Sequence, residues 1–228
     1  MSDDARRMHR TLRILSIVLI TAGLVVLSDV AATLAWKEPV SSIYGAIQQQ
    51  RAQNDLDDLE DAFAERPLPD VQGLTDVRAA GKLADAFEDE VATGKPIGTI
   101  LIPRIDLDAV VVQGTDTASL QKGPGHYPDT ALPGQGKTIG VAGHRTTYLA
   151  PFRHIDQIEP GDEVVIEAPY GDFIYGVTKT EIVDPEDVGI VDNVGFERLV
   201  LTACHPLYSA AERYAIFARL VEIDLESA

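Results

Sequence analysis

The sequence predicts an all-β domain that folds as a closed or nearly closed barrel, preceded by a membrane-spanning helix and an acidic helical segment. Three observations support this fold class. Residues 97–228 alternate short apolar runs with Gly, Pro and Asp, residues 14–36 are almost entirely apolar, and residues 37–96 combine acidic charge with loosely helical spacing. The chain is therefore expected to carry one substantial globular domain behind an N-terminal anchor.

Residues 14–36 form the predicted membrane segment. Their only charge is Asp29, and a helix of this length crosses a hydrocarbon layer of roughly 30 Å. Arginines precede the segment, so the positive-inside rule places residues 1–13 in the cytoplasm and the rest outside, with a single-pass anchor in the cell membrane. A cleavable signal peptide is the alternative. The uncleaved anchor is favoured because the apolar segment continues past Asp29 and ends at an interfacial Trp36.

The segment 37–96 contains two helical patterns, at 38–66 and at 74–91, with a PLP sequence from Pro67 between them. The favoured interpretation is a solvated acidic stalk that spaces the body from the membrane. A dimerising helix and a lid are the alternatives. On this interpretation residues 97–228 are the functional domain.

Strand-like runs follow Pro96 along the rest of the chain. So many short strands in one domain protect their edges best by closing into a barrel. One short helix is predicted at 115–123, capped by Thr115 or Asp116. The runs are 97–103, 109–114, 137–144, 162–169, 173–183, 198–204 and 213–224.

The net charge of −17 argues against nucleic acid as a partner, since no segment offers the basic face that phosphates require. The sequence contains neither a cysteine–histidine cluster nor an HExxH motif. No metal site and no cofactor are therefore predicted.

Cys204 is the only cysteine, so it cannot form an internal disulfide in an exported domain, and it becomes a candidate nucleophile. A short connection joins the last two predicted strands. The simplest pairing is a hairpin that places Cys204 opposite Arg213, with the two side chains on one face. The same register sets Arg219 opposite Arg198, some 20 Å further along the strands, which excludes Arg219 from the site.

A reactive thiol needs a base or a cation nearby. His144 is the first choice, because the end of a strand beside a glycine is a rigid place from which to present an imidazole. His126, in the GPGHYP loop, is the second. His205 is expected in a turn, His154 on the surface and His9 in the cytoplasm.

Three separated phrases resemble the sortase family, and the CHP and GHRTTY phrases resemble its class E, the housekeeping type of actinobacteria. The resemblance covers residues 97–224 and implies a membrane-anchored cysteine transpeptidase on an eight-stranded β-barrel. It implies that Cys204 is the nucleophile, that His144 protonates the leaving amine, and that Arg213 holds the substrate or the oxyanion. The phrases are GTILIPRIDLDAVVVQGTD, GPGHYPDTALPGQGKTIGVAGHRTTYLAPF and LVLTACHPLYSAAERYAIFAR.

The family resemblance also implies the substrate. Sortases cleave an LPxTG-like sorting signal between Thr and Gly, and an amine of the peptidoglycan precursor then resolves the thioacyl enzyme. Class E enzymes are associated with LAxTG as well. The partners implied are secreted proteins that carry such a signal, a cell-wall amine, and the lipid bilayer. Ala203 stands where the family usually has Thr before the cysteine. The residues expected to contact substrate are Thr202, Ala203, Tyr127, His126 and His205.

Three other functions stay open from the sequence. An exported L,D-transpeptidase would also be all-β with a catalytic cysteine, but its SxGC-like phrase is absent. A non-catalytic anchored surface module would keep Cys204 as an inert buried thiol. A pilus-polymerising sortase is a narrower alternative, and attachment is preferred because no lid motif of aspartate plus aromatic precedes the barrel.

Overall fold

The structure, a computed structural model, describes residues 3–35 and 39–225, and the chain divides into two compact units at Ser41. The first unit contains α1 (Asp3–Ala35), in which His9–Ala31 has a mean hydropathy of 2.4 and suits a membrane span by length and composition. The helix begins upstream of the predicted segment, because helical structure continues through the basic residues before it. The predicted interfacial Trp36 lies outside the described residues.

The second unit is built around eight strands that close into a barrel in the order β1-β2-β3-β4-β7-β8-β6-β5. Neighbouring strands are antiparallel, except that β2 pairs with β3 and β4 with β7 in parallel. The strands are β1 (Pro96–Ile102), β2 (Leu107–Gln113), β3 (Gly125–His126), β4 (Thr138–Gly143), β5 (Glu163–Ala168), β6 (Gly171–Val183), β7 (Arg198–His205) and β8 (Glu212–Asp224).

All of the predicted strand runs are strands in the structure, and the eight-stranded barrel implied by the family resemblance is confirmed. The run-by-run prediction missed β3, which is too short to show an alternating pattern. The helix predicted at 115–123 exists as a single turn, Thr117–Leu120. Asp116 caps it, since its carboxylate accepts hydrogen bonds from the backbone N–H groups of Ala118 and Ser119.

Alternating side chains of the strands fill the barrel. On β7, Leu199, Leu201 and Ala203 are buried in the main core, whereas Val200 belongs to a separate cluster on the outer face. Glu197, at the start of β7, is also buried. Its carboxylate accepts hydrogen bonds from Gly134 N, Gly136 N and the Tyr175 hydroxyl, which ties three segments together at that end of the barrel.

Two further helices precede the barrel, α2 (Pro39–Ala64) and α3 (Asp76–Glu88), and they correct the expectation of a solvated stalk. From Ser41 onward both belong to the same compact unit as the barrel. Phe63 and Phe87 are buried in its main core, 2% and 0% exposed, and their rings lie 5.4 Å apart edge to face. The compact unit that contains the barrel therefore begins at Ser41, upstream of residue 97.

Besides the two phenylalanines, small and polar side chains make helical contacts, which explains why the sequence pattern suggested a stalk. α3 approaches the core through Ala80 and Ala84, both fully buried. On α2, the amide group of Gln49 bonds both backbone groups of Val110, accepting from its N–H at 2.9 Å and donating to its C=O at 3.1 Å. Neither feature produces the broad apolar stripe by which a core-facing helix is recognised.

Candidate active site

Strand register brings His144, Cys204 and Arg213 into one row. Parallel pairing aligns Gly143 of β4 with Ala203 of β7, so the next residues, His144 and Cys204, are neighbours across the two strands. On the other side of β7, Cys204 is paired with Arg213 of β8, which confirms the predicted hairpin. Adjacent strands lie about 4.8 Å apart. The three candidate catalytic residues therefore lie side by side at the ends of three adjacent strands of the barrel.

The row lies on the outer face of the barrel. Gly143 faces inward, where a Cβ would come within 2.5 Å of the Phe152 ring, and Ala203 is 3% exposed in the core. Successive residues of a strand alternate between faces, so His144 and Cys204 point outward. The thiol of Cys204 is free and half-buried. A cavity of about 300 Å³ opens beside it, lined by His144, Arg145, Thr146, Cys204, Tyr208, Ser209 and Ala210.

His144 is held as a neutral imidazole at neutral pH, because burial lowers its pKa from the ordinary 6.5. Its Nε2 atom is buried and has no hydrogen-bond partner among the described residues. One face of the ring lies against Tyr148, with 5.5 Å between the ring centroids. A neutral imidazole beside a thiol can take the thiol proton and pass it to a leaving amine.

Arg213 is anchored to the backbone and lines a different cavity from the one beside Cys204. Its Nη1 donates hydrogen bonds to the carbonyls of Ala210 and Glu212, at 3.1 and 3.0 Å, which anchors the guanidinium to the connection between β7 and β8. It also lines a second cavity of about 380 Å³. Tyr127 and Thr202 line the same cavity, and their hydroxyl groups are hydrogen-bonded at 2.9 Å. The remaining lining residues are Asp129, Thr130, Asp184, Pro185, Asp187, Val188, Ile190, Val191, Asp192 and Asn193.

Two of the residues expected to contact substrate thus reach a cavity, and three do not. His126 is 1% exposed, and its ring nitrogens contact the Gln113 side chain and the Ala131 carbonyl at 2.7 and 2.9 Å. Burial lowers its pKa. It is a part of the barrel wall in this structure, with both ring nitrogens hydrogen-bonded and no exposed edge.

Ala203 and His205 are the other two residues that line neither cavity. Ala203 faces the barrel interior, so its methyl group does not meet a ligand bound on the outer face. His205 follows Cys204 and alternates to the opposite side, where its ring lies against Tyr214 with 5.8 Å between centroids. It lines neither of the two cavities beside the row.

Arg145 is a site residue that the sequence analysis did not single out. It is 3% exposed and forms an ion pair with Asp156 at 2.8 Å. Its guanidinium also donates to the carbonyl oxygens of Cys204 and Arg153, at 3.3–3.4 Å. It thereby fastens the segment after His144 to the strand that carries Cys204. The only sequence signal was its place in the GHR phrase.

Comparison with known proteins agrees with this geometry. The family model of the sortase domain matches residues 100–221. Sortase D of Bacillus subtilis (strain 168) is 34% identical over 166 residues, which cover 71% of this chain and 81% of that protein.

Solved structures give the same result. Sortase E from Streptomyces avermitilis is 35% identical with a TM-score of 0.54, covering 60% of this chain and 95% of that one. Sortase E1 from Streptomyces coelicolor, crystallised with a tripeptide in its active site, is 29% identical with a TM-score of 0.57, covering 60% of this chain and 94% of that one.

Proposed function

Because the chain belongs to the sortase family of cysteine transpeptidases, we propose that it is a membrane-anchored enzyme that cleaves a sorting signal and transfers the signal-bearing protein to a cell-wall amine. The observation that carries the proposal is the row of His144, which directly follows β4, with Cys204 of β7 and Arg213 of β8, at the ends of three adjacent barrel strands. It supplies a nucleophile, a proton carrier and a cation on one face of a rigid barrel.

The chemistry proceeds in two halves. His144 takes the proton of the Cys204 thiol, and the thiolate attacks the carbonyl carbon of the substrate threonine. The bond to the glycine nitrogen breaks, His144 returns the proton to that nitrogen, and the acyl group stays on Sγ as a thioester. An amine then attacks the thioester, His144 takes a proton from the amine nitrogen and passes it to the departing Sγ, the C–S bond breaks, and a new amide leaves the enzyme. Arg213 stands beside the carbon under attack and stabilises the oxyanion of each step.

The cavity of about 380 Å³ supports a binding site for the sorting signal. It adjoins Arg213 and is lined on one wall by Tyr127 and Thr202, whose paired hydroxyl groups offer polar contacts to a peptide. Sortase E1 from Streptomyces coelicolor holds a tripeptide in its active site, which supports peptide binding by the site of this chain. The signal we propose is LAxTG-like or LPxTG-like, in keeping with class E.

Membrane anchoring rests on α1. The apolar stretch His9–Ala31 is long enough to span a bilayer, and arginines precede and enter it. An N-terminus in the cytoplasm and a catalytic unit outside would place the site where secreted proteins and wall precursors meet.

Intact-mass measurement on the full chain in detergent tests the proposal. Wild type and Cys204→Ala are incubated with LAxTG and LPxTG peptides, with and without an added amine. We expect a thioacyl adduct on the wild type only, cleared by the amine to a ligated peptide.

The outcomes separate the alternatives. A wild-type chain that forms no adduct with either peptide, and whose thiol resists alkylation in the folded state, would point to a non-catalytic surface module. Ligation to the side-chain amine of another protein, in place of a wall-precursor amine, would point to pilus polymerisation.

A further inference from the structure

The loop that follows His144 has an unusual backbone. Tyr148, Leu149 and Ala150 have φ angles of 49°, 65° and 47°, so three successive residues other than glycine are left-handed. L-residues visit this region mostly one at a time, because the Cβ atom crowds the following carbonyl. A run of three persists only where the surrounding structure holds it.

The first turns of α2 supply that support. The Tyr148 N–H donates to the Ser41 hydroxyl at 3.3 Å, and the Tyr44 ring meets the Tyr148 ring edge to face with 6.1 Å between centroids. Gly45 faces the same backbone so closely that a Cβ there would lie 2.9 Å from the Tyr148 carbonyl carbon and 3.1 Å from the Leu149 nitrogen. A side chain at position 45 would therefore push α2 and the loop apart.

Tyr148, the residue that α2 supports, is also in contact with the imidazole of His144. The Tyr148 ring lies 5.5 Å from the imidazole, centroid to centroid. The His144 carbonyl accepts a hydrogen bond from Phe152 N at 3.0 Å, which fixes the backbone and leaves the ring to its neighbours. Nε2 is buried without a hydrogen-bond partner among the described residues, so packing, including the contact with the Tyr148 ring, holds this imidazole in place. A displaced Tyr148 would leave the ring free to rotate away from Cys204.

We propose that α2 clamps the loop at Tyr148, and that this clamp makes Tyr148 the positioning residue for His144. The inference rests on the proposed transpeptidase function. It adds that the rate of thioacyl formation depends on whether α2 is docked on the loop at Tyr148. Docking of α2 would thus be part of the active state of the enzyme.

Four substitutions in the full chain test the clamp. Gly45→Ala adds a methyl group at the contact. Gly81→Ala is the matched control, because it adds the same group to α3, where the nearest atom is Gly134 O at 3.4 Å. Tyr148→Gly removes the ring while relaxing the left-handed backbone. Tyr148→Phe keeps the ring.

Two measurements are made on each variant in detergent. The first is the rate constant for thioacyl formation in a single turnover. The second is the titration of His144 by NMR on histidine-labelled protein, with the signal assigned by its loss in His144→Gln. The charged and titratable groups that line the cavity with His144 are Cys204, Arg145 and Tyr208, and Tyr148 faces it from the loop. None of these is altered by Gly45→Ala.

The expected result is a loss of at least tenfold in the rate constant for Gly45→Ala and Tyr148→Gly, with most of the rate restored in Tyr148→Phe and none lost in Gly81→Ala. Since burial lowers the pKa of His144, opening the clamp should raise that pKa toward its ordinary value. A Gly45→Ala chain that keeps the wild-type His144 titration would overturn the proposal, whatever its rate. If the wild type forms no thioacyl adduct, the proposed function fails, and the titration alone decides whether the clamp exists.

Discussion

Removing Asp156 should destabilise the fold more than removing its buried partner, Arg145. The two side chains form an ion pair at 2.8 Å, but Arg145 is 3% exposed and Asp156 is 46% exposed. The Asp156→Ala variant leaves a guanidinium buried without a counter-charge. The Arg145→Met variant leaves a carboxylate that water can reach, and fills the buried space with an apolar chain of similar length.

The magnitudes follow from this asymmetry. Breaking a fully buried pair costs about 3–5 kcal/mol, whereas an exposed pair contributes about 0–1 kcal/mol. With one partner buried and the other half-exposed, we expect Asp156→Ala to lower the free energy of unfolding by about 2–3 kcal/mol. Arg145→Met loses the long hydrogen bonds to the carbonyls of Cys204 and Arg153 and an ion pair whose carboxylate water can then solvate, and it should cost about 1 kcal/mol.

A double-mutant cycle measures the coupling. Unfolding is followed by urea titration of the full chain in detergent, for both single variants and the double variant. The double variant should be no less stable than Arg145→Met, since the aspartate has no partner to lose once the arginine is gone. An Asp156→Ala chain more stable than Arg145→Met would refute the reasoning, because it would mean that the buried guanidinium needs no counter-charge.

Four other predictions concern single positions. Arg213→Lys should slow thioacyl formation about a hundredfold in single-turnover assays while leaving thermal stability unchanged, because an ammonium group lacks the planar donors of a guanidinium; a wild-type rate would exclude Arg213 from oxyanion stabilisation. Glu197→Leu should cost about 3 kcal/mol in urea unfolding, since it strands two backbone N–H groups and the Tyr175 hydroxyl in the barrel; Glu197→Gln, which keeps an acceptor, should cost less, and equal losses would argue against this account. His126→Gln should cost less stability at pH 5.5 than at pH 7.5. Burial lowers the pKa of His126 in the folded state below 6.5, so the wild type loses stability as the unfolded chain takes up protons below that pH. A stability cost that grows on acidification would contradict this direction of the pKa shift. Ala203→Thr should keep the wild-type rate and lower the melting temperature, because the added hydroxyl enters the barrel core; a changed peptide preference would show instead that position 203 reaches the substrate.

The sequence could predict the parts of the site that are formed by segments adjacent in the chain. The pairing of Cys204 with Arg213 follows from a short connection between two consecutive strands, which leaves little freedom of register. The position of His144 beside Cys204 depends on a parallel pairing between β4 and β7 with β5 and β6 in between. No local pattern specifies such a pairing, and the family resemblance had to supply it.

The remaining differences have a common physical cause. A helix is recognised as core-facing by large apolar residues at helical spacing, but α2 and α3 make part of their contacts through Ala, Gly and an amide group, beside the buried Phe63 and Phe87. The buried ion pair of Arg145 was hidden for a related reason, since charged side chains are assigned to the surface unless their partner is known. In both cases the contact depends on partner residues that are distant in the sequence, so the local sequence pattern does not reveal it.

The alternation of side chains along β7 gives a reason why the cysteine motif can depart from the usual family pattern. Position 203 faces the packed interior, where a hydroxyl would need a hydrogen-bond partner and a methyl group does not. Position 202 shares the outer face with Cys204, and there Thr202 is present and hydrogen-bonded to Tyr127 at the wall of the larger cavity. The hydroxyl at the wall of the cavity where we propose that the signal binds is therefore one that this chain keeps, at the position two residues before the proposed nucleophile. Selection for substrate binding would act on Thr202 and Tyr127, and selection for packing would act on Ala203.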